Sequence, residues 1–132
     1  MQFPPTRILC VDNDEDTCLM MKVLLHTWGH ETTLAITAAE GFRLAQNERF
    51  DLCLLDTSLP DESGIELCKR ICDLDNPSPV VFISGHARDA DKMRGLNAGA
   101  LAYFTKPLNF DELEETMDWL IERGSSEKAI AT

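Results

Sequence analysis

Five short apolar runs, each followed by a segment of helical length, limit what this chain can become. The runs are "RILCV" (7–11), "TTLAI" (32–36), "DLCLLD" (51–56), "PVVFIS" (79–84) and "ALAYFT" (100–105). Between and after them come "DTCLMMKVLLHTWG", which closes on Gly29, then "AAEGFRLAQNE", "GIELCKRICDL", a polar stretch from Arg88 to Asn97, and "FDELEETMDWLIER". Strands that are apolar on both faces belong inside a parallel sheet, because the crossover between parallel neighbours puts helices over each face. The alternation predicts a doubly wound α/β fold, a five-stranded parallel sheet flanked by five helices.

A length of 132 residues suits one domain with one core. Residues 1–124 are expected to form it, with 125–132 as a polar C-terminal tail too short for an output domain. The net charge of −11, with no concentration of Lys or Arg, argues against direct contact with nucleic acid or an anionic membrane and favours cations or basic protein surfaces. No apolar run approaches the ~18 residues of a spanning helix, and "MQFPPTR" lacks the regions of a signal peptide, so a cytoplasmic location is expected. The five cysteines include no C-x-x-C pair and read as small hydrophobes of a reducing compartment.

The chemistry starts at "CVDNDED" (10–16), where four acids and one Asn follow the first apolar run. Like charges this close repel by roughly 1 kcal/mol per pair even in water, so a cation is expected nearby. In a doubly wound sheet, ligands gather outside the carboxyl ends of the strands. Those ends carry Asp12, Asn13 and Asp14 after the first run, Asp56 after the third, Ser84 after the fourth, and Lys106 with Pro107 after the fifth. If the strand order is 2-1-3-4-5, these groups converge. Carboxylate oxygens suit a hard ion such as Mg²⁺, and Asp56 can be a ligand or a nucleophile that takes a phosphoryl group as a mixed anhydride. Ser84 and Lys106 then serve the phosphoryl oxygens, one by a hydroxyl hydrogen bond and one as a point charge. Plainer roles stay open: Asp14 is a good helix cap, Lys106 a surface lysine, Ser84 and Tyr103 backbone-bonded and packed, and His86 a loop bystander.

The segments "ILCVDND", "FDLCLLDTSLPDESGIELCKRI", "VVFISGHA" and "GALAYFTKP" together resemble the receiver domain of two-component response regulators, a flavodoxin-like fold of the CheY type, from about Arg7 to Arg123. The resemblance implies that Asp56 is the phosphoacceptor for a phosphohistidine on a histidine kinase or histidine phosphotransfer protein. It also implies that Asp12, position 13, Asp56 and the Ser58 backbone carbonyl hold Mg²⁺. Ser84 and Tyr103 become the switch pair, Lys106 contacts the phosphate, and the Lys106–Pro107 bond is often cis in such domains. Phosphorylation would reshape the face of the fourth helix, fifth strand and fifth helix, read by a downstream protein or a fused output domain; homodimer formation stays open. Such a module catalyses only its own Mg²⁺-dependent phosphorylation and dephosphorylation.

Asn13 departs from that pattern, because the family usually places a second acid there. An amide oxygen brings no charge, so metal affinity should be lower, and Asn13→Asp is expected to tighten Mg²⁺ binding. The substitution keeps open a degenerate receiver that binds partners without phosphorylation. A third reading is a phosphatase of the haloacid-dehalogenase type with Asp12 as nucleophile, which leaves Asp56 unexplained and lacks a late acidic pair.

Helical spacing at 100° per residue assigns Cys18, Met21, Leu24, Leu25 and Trp28 to the buried stripe of the first helix and leaves Leu19, Met20 and Val23 outside it. On the last helix Phe110, Leu113, Met117, Leu120 and Ile121 share the buried stripe and Trp119 lies opposite. The exposed apolar residues are candidate partner-docking positions. Gly95, inside the polar fourth helix, marks either a weakly held mobile element or a close packing contact.

Overall fold

The computed structural model describes residues 5–131, the side chains of 125–131 excepted. In chain order the elements are β1 (Thr6–Val11), α1 (Glu15–Thr27), β2 (His30–Ala35), α2 (Ala38–Asn47), β3 (Leu52–Leu55), α3 (Gly64–Cys72), β4 (Val80–Ser84), α4 (Asp89–Asn97), β5 (Ala102–Thr105) and α5 (Phe110–Ala131). All five strands pair in parallel, as the alternation predicts, in the order β2-β1-β3-β4-β5 that the resemblance implies.

Every residue of β3 and β4 is buried, and the pleat sends alternate side chains into two cores. Leu9, Val11, Leu55 and Phe82 face α2, α3 and α4, where Leu67, Ile71 and Ala98 meet them. Ile8, Cys10, Leu54 and Ile83 face α1 and α5, against Met21, Leu25, Leu113 and Met117. Each fully buried Leu or Ile contributes roughly 1.5–3 kcal/mol, so the two layers carry most of the stabilisation. Strand β2 lies at the sheet edge and starts at His30, two residues earlier than its apolar residues indicate.

Local signals mark the helix ends. Gly29, at φ +88°, follows α1 in the left-handed region that glycine tolerates best. Thr37 caps α2 by accepting from the Glu40 amide, and Ser63 caps α3 by accepting from the Ile65 amide. Two further amides of α2, those of Ala38 and Ala39, donate to the Asp61 carboxylate at 2.8 and 3.0 Å. Those bonds hold Asp61 below its usual carboxylate range.

One expectation needs correction. Phe110 is 42% exposed although it continues the apolar stripe of α5, because it lies at the open margin beside α1, where it lines a groove with Leu19, Met20 and Val23, while Leu113 of the same turn is fully buried. The backbone of α5 runs on to Ala131. Leu24, Trp28 and Ile121 are only partly buried at the margin of the core.

Candidate functional site at the carboxyl ends of the strands

The sheet hydrogen bonding continues just past the strands and fixes the residues that follow. The Asp12 amide donates to the Ala35 carbonyl at 3.0 Å, the Asp56 amide to Val11 at 2.9 Å and the Lys106 amide to Ser84 at 2.8 Å. Side chains far apart in the chain are thereby aimed into one cleft. The ammonium of Lys106 lies 3.1 Å from Asp12 Oδ2 and 3.3 Å from Asp56 Oδ2, bridging the two carboxylates. The remaining oxygens are also engaged: Asp12 Oδ1 accepts from the Asp14 amide at 2.9 Å, and Asp56 Oδ1 from the Ser58 amide at 3.0 Å.

Burial raises the Asp12 carboxyl above its ordinary value, and the hydrogen bonds from the Asp14 amide and the Lys106 ammonium only partly offset this. For Lys106, burial acts to lower the value, but the hydrogen bond to Asp12 and the charges of Asp56 and Asp12 outweigh it and the net shift is upward. The lysine is therefore an ammonium at neutral pH. Asp14 is the N-cap residue of α1, and its carboxylate accepts from the Thr17 hydroxyl at 2.6 Å, which lowers its value.

Ser84 is fully buried, and its hydroxyl is not bonded to Asp56. It pairs with the Thr57 hydroxyl at 2.6 Å and accepts from the His86 amide at 3.1 Å. The Tyr103 hydroxyl donates to the His86 carbonyl at 2.7 Å, and the His86 imidazole meets the Ser58 hydroxyl at 3.0 Å. His86 thus joins the loops after β3 and β4 to the Tyr103 side chain on β5. Thr57 is a further member that sequence reasoning missed. So is Gly64, where a Cβ would come within 2.8 Å of the Asp56 carbonyl carbon and 2.9 Å of Thr57 Cα. Only a glycine lets α3 begin this close to the Asp56 backbone.

The oxygen donors fit a hard divalent ion in kind: two carboxylates within reach of one ammonium, the exposed Asn13 beside Asp12, and the Ser58 backbone. No group of three or more His, Cys, Asp or Glu side chains among the described residues is arranged to hold a metal. A metal here therefore relies on amide, backbone or ligand oxygens beyond Asp12 and Asp56. The Lys106–Pro107 peptide bond is cis.

The exposed apolar residues do not form one surface. Leu19, Met20 and Val23 line a shallow groove on α1 that Phe110 extends. Trp119 is exposed with the Arg123 guanidinium 4.5 Å over its ring, and it lines a different groove with Arg49, Cys72 and Leu101.

A parallel α/β sheet that gathers two carboxylates and an ammonium at one set of strand ends defines a receiver-type domain. The chain belongs to the response regulator receiver domain family, whose model matches residues 8–118. It is 33% identical over 111 residues to the transcriptional regulatory protein ZraR of Salmonella typhimurium, covering 84% of this chain and 25% of ZraR. It is 33% identical over 107 residues to the transcriptional regulatory protein DltR of Streptococcus agalactiae, covering 81% of this chain and 48% of DltR. The chain thus spans a quarter to about half the length of these curated relatives. A CheY-like receiver domain protein from Methanospirillum hungatei superposes with a TM-score of 0.88 at 35% identity, covering 94% of this chain and 99% of that one. The receiver domain of the sensor histidine kinase PA1611 from Pseudomonas aeruginosa, with a magnesium ion coordinated in its active-site cleft, shares the fold at 24% identity and a TM-score of 0.83, covering 90% of this chain and 99% of that one. Among the described residues, no helix is long and apolar enough to cross a membrane.

Proposed function

We propose that residues 1–124 act as a phosphoacceptor signalling module in which Asp56 takes a phosphoryl group from the phosphohistidine of a kinase or phosphotransfer protein. A carboxylate oxygen of Asp56 attacks the phosphorus of a phosphohistidine protonated on its other ring nitrogen, the P–N bond breaks with its electron pair going to that ring, and an acyl phosphate forms while the partner recovers neutral histidine. The observation that carries this reading is the Lys106 ammonium between Asp12 and Asp56, at 3.1 and 3.3 Å. An ammonium already beside the acceptor oxygen can follow the incoming phosphoryl oxygens without being recruited from solvent. Mg²⁺, when bound, neutralises charge on the transferring phosphoryl group, and the donors we assign to it are Asp12, Asn13, Asp56 and the Ser58 backbone carbonyl.

Phosphorylation adds roughly 1.5–2 negative charges and three acceptor oxygens at Asp56. Ser84 then exchanges its bond to Thr57 for one to a phosphoryl oxygen, and Tyr103 gives up the His86 carbonyl to turn inward. The α4-β5-α5 face changes as a result, and a downstream protein or fused output domain reads it. The α1 groove of Leu19, Met20 and Val23 receives the kinase-side partner.

The test is incubation with Mg²⁺ and acetyl phosphate, followed by mass spectrometry of alkali-labile adducts. Label on Asp56 that disappears in Asp56→Asn supports the reading. Absence of label overturns it in favour of a phosphorylation-independent binding domain, which Asn13 favours. Label on Asp12 with hydrolysis of phosphate esters overturns it in favour of a phosphatase.

A further inference from the structure

One pair of side chains far from the strand-end cluster has chemistry that the proposed function leaves unused. Cys68 and Cys72 lie one turn apart on α3, with their sulfurs 4.0 Å apart. Cys68 is fully buried, and its thiol also reaches the Ala98 carbonyl at 3.6 Å. Cys72 is the last residue of α3, is only partly buried, and lines a groove of about 770 Å³ with Pro79, Leu101, Trp119, Arg49 and Arg123. On another side its sulfur is backed by Gly99, at φ +114°, where a Cβ would come within 2.7 Å of Cys72 Sγ. All five cysteines are free thiols, and Cys10, Cys18 and Cys53 are buried.

We propose that Cys68 and Cys72 form an oxidisable dithiol, in which Cys72 meets a hydroperoxide entering from the groove and Cys68 then closes a disulfide. In the first step the Cys72 thiolate attacks a peroxide oxygen. The O–O bond breaks, Cys72 becomes a sulfenic acid, and the released hydroxide takes the proton that the thiol gave up, leaving as water. In the second step the Cys68 sulfur attacks the Cys72 sulfur. An S–S bond forms, the S–O bond breaks, and the leaving hydroxide takes the Cys68 proton as a second water. Two thiols lose two electrons and two protons, and one hydrogen peroxide is reduced to two waters.

The surroundings divide the two roles. A reactive thiol needs access and thiolate character, whereas a fully buried thiol is inert until its partner is activated. The hydrogen bond from Cys68 holds Cys72 down to about 7, while giving that bond and being buried push Cys68 up. Burial raises Cys53 to about 12 and pushes Cys10 up as well, so neither competes for oxidant. Residues one turn apart hold their Cβ atoms about 5–6 Å apart, and a disulfide requires about 3.5–4.5 Å. The last turn of α3 must therefore unwind locally, which a terminal helical residue such as Cys72 permits more readily than an interior one.

The full chain, treated with hydrogen peroxide, blocked with a thiol reagent and digested with trypsin, tests this directly, because cleavage after Lys69 and Arg70 separates the two cysteines. The expected result is a pair of peptides, 50–69 and 71–88, that remain joined until reduced and have lost two hydrogens in mass; because 50–69 also carries Cys53, fragmentation must place the alkyl group on Cys53 and the bridge on Cys68, with Cys10 and Cys18 still alkylated. In Cys68→Ser, dimedone should trap a sulfenic acid on Cys72. At pH 7 iodoacetamide should alkylate Cys72 on the order of a hundred times or more faster than Cys53. Unjoined peptides with both thiols still alkylated, linkage through any other cysteine, or oxidation of Cys72 that stops short of the disulfide in the unsubstituted chain would each overturn the proposal. The peptide measurement is made on the unsubstituted chain, so its outcome does not depend on a variant folding.

Discussion

Gly95 of α4 rests directly on the ring of Tyr103: a Cβ there would stand 2.9 Å from Tyr103 Cδ2 and 3.0 Å from Phe82 Cδ2. The glycine is thus a close-packing contact, and α4 owes its position to the aromatic pair beneath it, whose ring centroids are 5.9 Å apart. Gly95→Ala sets two effects against each other. Helix propensity gains about 1 kcal/mol, while overpacking against two rings costs about 1–3 kcal/mol. Net destabilisation of about 1 kcal/mol is expected from urea titration. The loss should shrink in a Tyr103→Ala background, where one of the two rings is gone.

Gly64→Ala is expected to be far more damaging. The added methyl meets the backbone of Asp56 and Thr57 rather than a yielding side-chain tip. The loss should be on the order of 3 kcal/mol or more, measured as a lower urea midpoint or failure to fold. Unchanged stability would mean that α3 can shift away from the strand end at little cost.

Removing the bridging amine should make stability depend on pH in a defined direction. Asp12 already has a raised carboxyl value in the folded state, so the folded chain binds more protons than the unfolded one above the ordinary value of 3.8. Stability from this group therefore falls as pH rises through that window. Lys106→Met leaves Asp12 and Asp56 facing each other unneutralised, widening the window upward. The variant should lose about 1 kcal/mol or more at pH 7 and recover towards the parent as pH falls to about 4. In the parent, the raised value of Lys106 adds stability that is present below 10.5 and lost as pH rises through its folded value. A pH-independent loss in Lys106→Met would mean that the amine acts by packing alone.

Under the proposed function, Leu19→Glu and Val23→Glu should slow phosphotransfer from the kinase-side partner about tenfold, while labelling of Asp56 by acetyl phosphate stays at the parental rate. Both side chains are exposed, so neither substitution should alter the melting temperature. Equal slowing with both donors would place the effect in the cleft and remove the docking role from α1.

The strand ends were legible because they can be read directly from where apolar runs stop, whereas the sheet order that brings Asp12, Asp56 and Lys106 together came from the family resemblance. A parallel sheet then aligns those ends whatever the intervening sequence. Thr57 and His86 were not legible as site members. Their connections run through hydroxyl, imidazole and backbone atoms of separate loops, and loop contacts carry no periodicity. Gly64 stood in a loop rich in turn formers, where nothing distinguished a glycine required by the Asp56 backbone from one that merely permits a turn. Phe110 obeyed the helical stripe and still lay exposed, because periodicity gives the direction of a side chain and says nothing of whether a partner waits there.

The Asp61 carboxylate, held by the first two amides of α2, has a mechanical consequence for the loop that follows Asp56. That loop is moored at one end where Ser58 bonds Asp56, and near the other where Asp61 grips a helix from a different part of the chain. The cleft and the amino end of α2 are thereby tied through a single loop, within the helical layer that α2 shares with α3 and α4.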